Sequence, residues 1–350
     1  MMTPRQRWLA VLERRETDRV PCDFWSTSEV LDRLLLDLNC RTEDDLWRRL
    51  HIDRVHGVGP RYVGPEKDGL NFWGVGTKAQ VVAEGKGTYQ EVSVSPLAAM
   101  VEPAELEDFP WPDPDWFDYT HIKEELGCLT EWPVSAGIFE PFNLYASMRG
   151  LERAFLDIAA APEFLEAALQ KIFEFHYEYN RRIFEAAGKD GDILFTYVAE
   201  DLGGQHGLLM SISALERFFF PRMKVMIDLA HAYGIKAFHH DDGAIRKVLP
   251  RLVELGIDFL NPIQWRCPGM DREDLKRDFG DSVIFHGGVD NQETLPFGTP
   301  EEVRREVLDN IRILGEGGGY IVAPCHNIQP ITLTENIAAL YAAVDEASLG

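Results

Sequence analysis

Several short stretches of the chain carry residue types that could do chemistry, at spacings that would let them act together. His240 and Asp242 stand two apart in HHDD. In an extended segment both side chains project to one side, so an imidazole and a carboxylate can reach a single cation. Cys325, far along the chain, could complete a three-donor site with an open fourth position, which is the arrangement of catalytic zinc. Glu200 and Asp201 are adjacent carboxylates ahead of a glycine turn, and either could act as acid or base if burial raised its pKa. His286, in HGGVD, is a third candidate for proton transfer. The same residues admit a structural reading. Asp242 would cap the next helix, His240 would bond a backbone carbonyl, Cys325 would be a small buried residue, Glu200-Asp201 a solvated acidic turn and His286 a bridge between loops.

The elements that must hold these residues can be read from a repeated pattern: an amphipathic helix, a glycine, then a short apolar run ending in polar residues. It occurs as AHAYG-IKAFHHDD, VELG-IDFLNPIQ, RDFG-DSVIFHGGVD and EGGG-YIVAPCHN. Glycine supplies the left-handed position after a helix, and a short run that is apolar on both faces is how a buried parallel strand reads. Earlier strands are expected at Val20 to Phe24, Asp53 to Gly57, Val134 to Phe139 and Asp192 to Ala199, which makes eight. The pattern predicts a (β/α)8 TIM barrel, a single domain over 1–350, with its site at the carboxyl ends of the strands. That rim would present Glu140, Gln205, His239, Asn261, Gln264, Asp290 and His326 as substrate-binding candidates beside the groups above.

Two segments depart from the rhythm. Leu70 to Val94 alternates like a hairpin insertion, and Phe109 to Tyr119 is too rich in proline and tryptophan for a regular helix, so it is expected as a connecting loop clamped by aromatics. Thr299-Pro300-Glu301-Glu302 reads as a capped helix start, and Ser213-Ala214-Leu215-Glu216 as a second capping box. There are 35 Lys and Arg against 58 Asp and Glu, a formal charge of −23, which leaves no basic tract for a nucleic-acid backbone. Five scattered cysteines without a CxxC pair fit a reducing cytoplasm. No run of apolar residues is long enough for a membrane span.

Taken in order, DRVPCDF, EPFNLYASMRGLE, EDLGGQHGLLMS, HHDDGAI, GIDFLNPIQ, IFHGGVDNQETLPFGTPEEV and YIVAPCHNIQP make the chain resemble the uroporphyrinogen decarboxylase superfamily over essentially its whole length. That superfamily has the (β/α)8 fold and also contains cobalamin-linked, zinc-dependent methyltransferases. True decarboxylases of the family carry an arginine-rich RQAGRY-type segment after the first strand, where this chain reads FWSTSEV. A substrate with many carboxylates needs several fixed cations, so that branch is disfavoured. The methyltransferase branch implies zinc on a His-x-Cys segment and a distal Cys. His240 matches the first and Cys325 the last, while Asp242 replaces the middle thiolate. A carboxylate in that place implies an oxygen-bearing substrate and leaves room for another metal. The resemblance implies a metal-dependent methyltransferase or demethylase exchanging methyl with a corrinoid. The corrinoid would arrive on a separate carrier protein, since no cobalamin-binding DxHxxG segment occurs. The alternative is a metal-free decarboxylating lyase with Glu200, Asp201 or His286 as proton donor.

Overall fold

The computed structural model describes residues 1–81, 88–189 and 192–348. Seven strands form one parallel sheet in the spatial order His56–Val58, Val134–Phe139, Phe195–Val198, Lys236–His240, Phe259–Asn261, Ile284–Val289, Tyr320–Pro324. Every connection between these neighbours follows chain order, as serial βα units require. The eighth position is taken by Pro21 to Asp23, which is barely a strand. Cys22 makes a single parallel bridge to Val322, and on its other side the Cys22 carbonyl accepts from Asp53 N at 2.8 Å. This segment closes the sheet into a (β/α)8 barrel, and all eight expected strand positions are filled.

The closure is short in backbone pairing and dense in charge. Buried Asp53 accepts from Cys22 N at 3.2 Å and pairs with Arg7 at 2.5 Å and Arg19 at 2.8 Å. Removing one member of such a set would strand the others without water, at a cost of about 3–5 kcal/mol.

The barrel is filled from below. The Pro4–Leu12 helix, whose Thr3 and Gln6 form a reciprocal capping box, inserts Trp8 beneath the strands, where its ring stacks on Phe195 at 5.7 Å. Around it lie Val55, Phe238, Phe259, Ile284 and Ile321, one inward side chain from each of several strands. The outward side chains join a second, larger core under the surrounding helices, including Pro162–Ala187, Phe220–Ala232, Pro300–Leu314 and Thr334–Ala347.

Gly76–Val81 pairs antiparallel with Thr88–Val94 as the expected hairpin, and the part of that insertion at 82–87 lies outside the described residues. In the Pro- and Trp-rich loop, Trp111 Nε1 donates to the Leu106 carbonyl, and Phe117 packs edge-on against Phe72 and Tyr179. The capping box at Thr299 is present. The second one is displaced: Ser211, not Ser213, caps, accepting from Ala214 N, and Ser213 lies within the helix it was expected to start. A π-helical turn at Leu215–Phe219 follows, so the periodicity of the ordinary helix fails there. Among the described residues no helix is long and apolar enough to cross a membrane.

Candidate active site

At the carboxyl-end mouth a cavity of about 370 Å³ opens between Phe24, Trp25, Arg54, Tyr197, Glu140 and His240, with His326 and Asn327 completing its wall. His240 ends the Lys236–His240 strand, and Glu140 follows the Val134–Phe139 strand directly. His326 comes two residues after the last strand, at a bend that re-aims the chain once Pro324 has ended the pairing.

Three donor-bearing side chains converge here. Ligand atoms of His240, Asp242 and His326 lie within 4.8 Å of one another, the one such three-residue group among the described residues. The two imidazole rings are 5.9 Å apart. Asp242 Oδ1 is buried and has no hydrogen-bond partner. Burial raises the Asp242 carboxyl above its ordinary pKa, opposed by the nearby His240 and His326 and reinforced by Asp201. A carboxylate oxygen stripped of water and left between two imidazoles is a place where a cation would restore the lost solvation. Two imidazole nitrogens and a carboxylate oxygen are donors that zinc takes in catalytic sites, so the residues present fit the metal that the resemblance implies. Gly243 makes the turn possible. Its φ is +88°, and a Cβ there would lie 2.5 Å from the Gly204 carbonyl oxygen.

The expected third ligand is not in this group. The thiol of Cys325 is buried and donates to the Ile263 carbonyl at 3.4 Å, and burial pushes its pKa well above that of a free thiol. The bend after Pro324 sends Cys325 into the wall and its neighbour His326 into the mouth.

The remaining candidates divide in the same way. Glu200 is buried away from the mouth and caps the Pro141–Arg149 helix, accepting from Phe142 N at 2.6 Å and Asn143 N at 3.1 Å. Burial still pushes its pKa well above the usual value, with Glu140 and Asp201 adding to the effect. Asp201 is exposed, and its charge reaches Glu140 and Asp242. His286 lies deep in the barrel, fully buried between Asp23 and Asn261. His239 is fully buried on the outer side of the sheet against the Val198 carbonyl and Asp241, whose carboxyl burial pushes up to about 6.

Asn261 sits under His240, with its Oδ1 2.6 Å from His240 Nδ1. Gln264 accepts from Gly243 N at 2.6 Å and so braces the Asp242 turn. Gln205 is exposed near Cys267. Asp290 is occupied by Arg266 and by the backbone amides of the following turn. Glu140 does face the cavity, and burial raises its carboxyl, with Asp201 adding to the shift and His240 opposing it.

Trp25, Arg54 and Tyr197 went unrecognised as wall residues. Trp25 follows the seam segment Pro21 to Asp23, and an aromatic residue just beyond a short strand was the signal available there, whereas Arg54 comes ahead of the His56–Val58 strand, inside the expected Asp53 to Gly57 run, where no such signal marks it.

Two further hollows border the rim. One of about 220 Å³ shares Ile138 and Glu140 with the mouth and is lined by Trp73 and His176. The other, of about 510 Å³, lies outside the barrel at Arg266, Arg272 and Phe297, where Arg266 is already paired with Asp290 at 2.8 Å and Glu293 at 3.3 Å. Those walls neutralise themselves and offer no convergent donor set.

A closed parallel barrel with a cavity and three convergent donors at the carboxyl ends of its strands has the plan of a TIM-barrel enzyme. The chain belongs to the uroporphyrinogen decarboxylase (URO-D) family, whose model matches residues 91–347. A uroporphyrinogen decarboxylase of Pseudomonas putida is 25% identical over 285 residues, covering 76% of this chain and 75% of that one. The Pseudoalteromonas translucida protein of the same name is 32% identical over 120 residues, 31% of this chain and 33% of its own. Among solved structures, a methyltransferase from Methanosarcina mazei superposes with a TM-score of 0.69 at 20% identity, over 99% of each chain. At that identity the likeness is one of fold.

Proposed function

We propose that the protein is a metal-dependent methyl-transfer enzyme of this family that removes a methyl group from a small oxygen-bearing substrate. His240, Asp242 and His326 hold the metal, and a corrinoid on a separate protein receives the methyl group. The observation that carries this reading is the convergence of the three donors around the unpartnered, buried oxygen of Asp242. Zinc bound there would act as a Lewis acid toward a substrate oxygen, and a donor set without thiolate keeps that acidity high.

The chain's own residues supply the rest. Trp25 and Tyr197 give flat apolar walls for an aromatic or similarly compact substrate, and the hollow beside Trp73 has room for a substituent. A reduced corrinoid would accept the methyl group; when the oxygen–methyl bond breaks, both electrons stay on the substrate oxygen, which takes a proton. Glu140, kept protonated to higher pH by burial and facing the cavity, is the donor. Glu200 holds the helix that begins beside it. The charge around the mouth disfavours a polycarboxylate: against Arg54 stand Asp201 and Asp242.

The test is metal analysis of the purified full chain together with demethylation of methoxylated aromatics in the presence of a reduced corrinoid carrier. Stoichiometric zinc that is lost in His240→Ala and in His326→Ala, with methyl transfer that needs it, is the expected result. A wild-type chain that binds no divalent metal, or that releases CO2 from a carboxylated substrate without metal, overturns the reading in favour of a lyase.

A further inference from the structure

Behind His240 runs an unbroken line of polar side chains in an otherwise apolar barrel: Asp23, His286 and Asn261, of which His286 and Asn261 are completely buried and Asp23 almost so. We propose that this line is a positioning device that fixes the tautomer of His240, placing its proton on Nδ1 and turning a bare Nε2 toward the mouth. The proposal rests on the reading of His240 as a metal ligand and adds what makes it a ready one.

The direction of each bond follows from the one before. Asn261 Nδ2 lies 3.3 Å from the backbone carbonyl of His286, which can only accept, so this end of the amide is the donor. The same Nδ2 lies 2.8 Å from His286 Nδ1, which must therefore be the bare nitrogen of that ring. The ring proton of His286 is then on Nε2, 3.3 Å from Asp23 Oδ2. At the other end of the amide, Asn261 Oδ1 lies 2.6 Å from His240 Nδ1. An amide oxygen accepts, so His240 Nδ1 carries a proton, and in the neutral imidazole Nε2 is then the bare nitrogen.

The ends of the line are held. Asp23 Oδ2 also accepts from Trp25 Nε1 at 2.9 Å, and its Oδ1 accepts from Val55 N at 3.3 Å. The Trp25 ring lies 5.7 Å from the His240 ring and 5.6 Å from that of His286, which limits rotation of both. Gly287, at φ +109°, leaves space that a Cβ would take within 3.4 Å of the Asn261 amide. A metal-binding histidine whose other nitrogen is fixed in this way neither rotates nor changes tautomer before it binds, and such partners are worth about 10- to 100-fold in metal affinity.

The experiment has two arms on the full-length chain. The first reads the ring nitrogens of His240 by 15N NMR in metal-free, 15N-histidine-labelled protein, assigned against His240→Gln. The expected signature is a protonated Nδ1 and an unprotonated Nε2, and the opposite tautomer, or an even mixture, overturns the proposal. The second measures zinc affinity by chelator competition. Asn261→Leu is expected to weaken binding about 10- to 100-fold, and Asn261→Asp, which keeps an acceptor facing His240 Nδ1, to recover most of that loss. Zinc binding by Asn261→Leu equal to wild type overturns the positioning role and leaves the metal site standing. A wild-type chain without zinc affinity sinks the metal site, while the NMR arm still decides the tautomer, including the case where the leucine variant fails to fold.

Discussion

Four consecutive residues, His239 to Asp242, contain two histidine–aspartate pairs of the same composition and opposite fate. His239 and Asp241 lie on the outer side of the sheet and are fully buried with their polar atoms engaged. His239 Nδ1 faces the Val198 carbonyl at 2.7 Å, and Asp241 Oδ1 accepts from Leu202 N at 2.9 Å and Gly203 N at 3.2 Å. His240 and Asp242 lie on the inner side, and there an oxygen remains with nothing to bond. Residue type does not separate the pairs. The pleat separates His239 from His240, because side chains one apart along a strand point to opposite faces, and Asp241 extends that pairing by one residue, its N–H donating to the Asn261 carbonyl. The outward pair serves the backbone of the next loop, and the inward pair is left available to a ligand.

The most forceful way to break this comparison is to exchange the roles by mutation. Asp241→Ala strands two buried N–H groups and one face of His239, each lost partner worth about 1–3 kcal/mol, so a loss of roughly 3–5 kcal/mol in stability is expected by urea unfolding. Asp242→Ala in the metal-free protein removes an oxygen that already lacks a partner, and its stability should stay within about 1 kcal/mol of wild type. Equal destabilisation by the two variants would mean that the inward carboxylate is as structural as the outward one.

The same parity sets how far the site could be read from sequence. Strand positions were legible because each apolar run is bracketed by a helix-ending glycine and a polar exit, and in HHDD the two-residue spacing identified the inward pair. Cys325 and His326 were not separable, since the strand stops at Pro324 and alternation no longer holds across the bend. Glu200 reads in sequence as a candidate for chemistry because nothing local reveals that its carboxylate caps a helix 58 residues away. Asp23 and Asn261 owe their place to the barrel, which brings Asp23 next to His286 across 263 positions. Periodicity reports the face of a side chain, and only the closed sheet reports its partner.

A second histidine sharpens the contrast by being buried without an anionic partner. His176 stacks on Trp73 at 5.4 Å and bonds the Ile172 carbonyl at 2.9 Å, and burial lowers its pKa to about 4. Its unfolded value is near 6.5. Between those values the unfolded chain binds the proton that the folded one refuses, so this group's contribution to stability is lost as pH falls from about 6.5 to 4. From pH 7 to pH 5 wild type should lose about 2 kcal/mol more than His176→Phe, which keeps a ring against Trp73 and cannot titrate. Parallel urea curves at the two pH values check this. An identical pH dependence for both proteins would place a charged or solvated imidazole in the hollow beside Glu140.

The finest cut falls between neighbours. If the bend after Pro324 assigns Cys325 to the wall and His326 to the mouth, Cys325→Ala loses one weak hydrogen bond and a small buried volume, about 1 kcal/mol, and its zinc affinity stays within about twofold of wild type. His326→Ala should do the reverse, with unchanged folding and zinc affinity lowered by two orders of magnitude or more, as expected when one of three ligands is removed. Denaturation and chelator competition on the two variants give four numbers with opposed signs. Loss of zinc from the alanine variant at 325 would mean that the thiol swings off the Ile263 carbonyl to reach the metal, and the division between wall and mouth would then describe the metal-free protein alone.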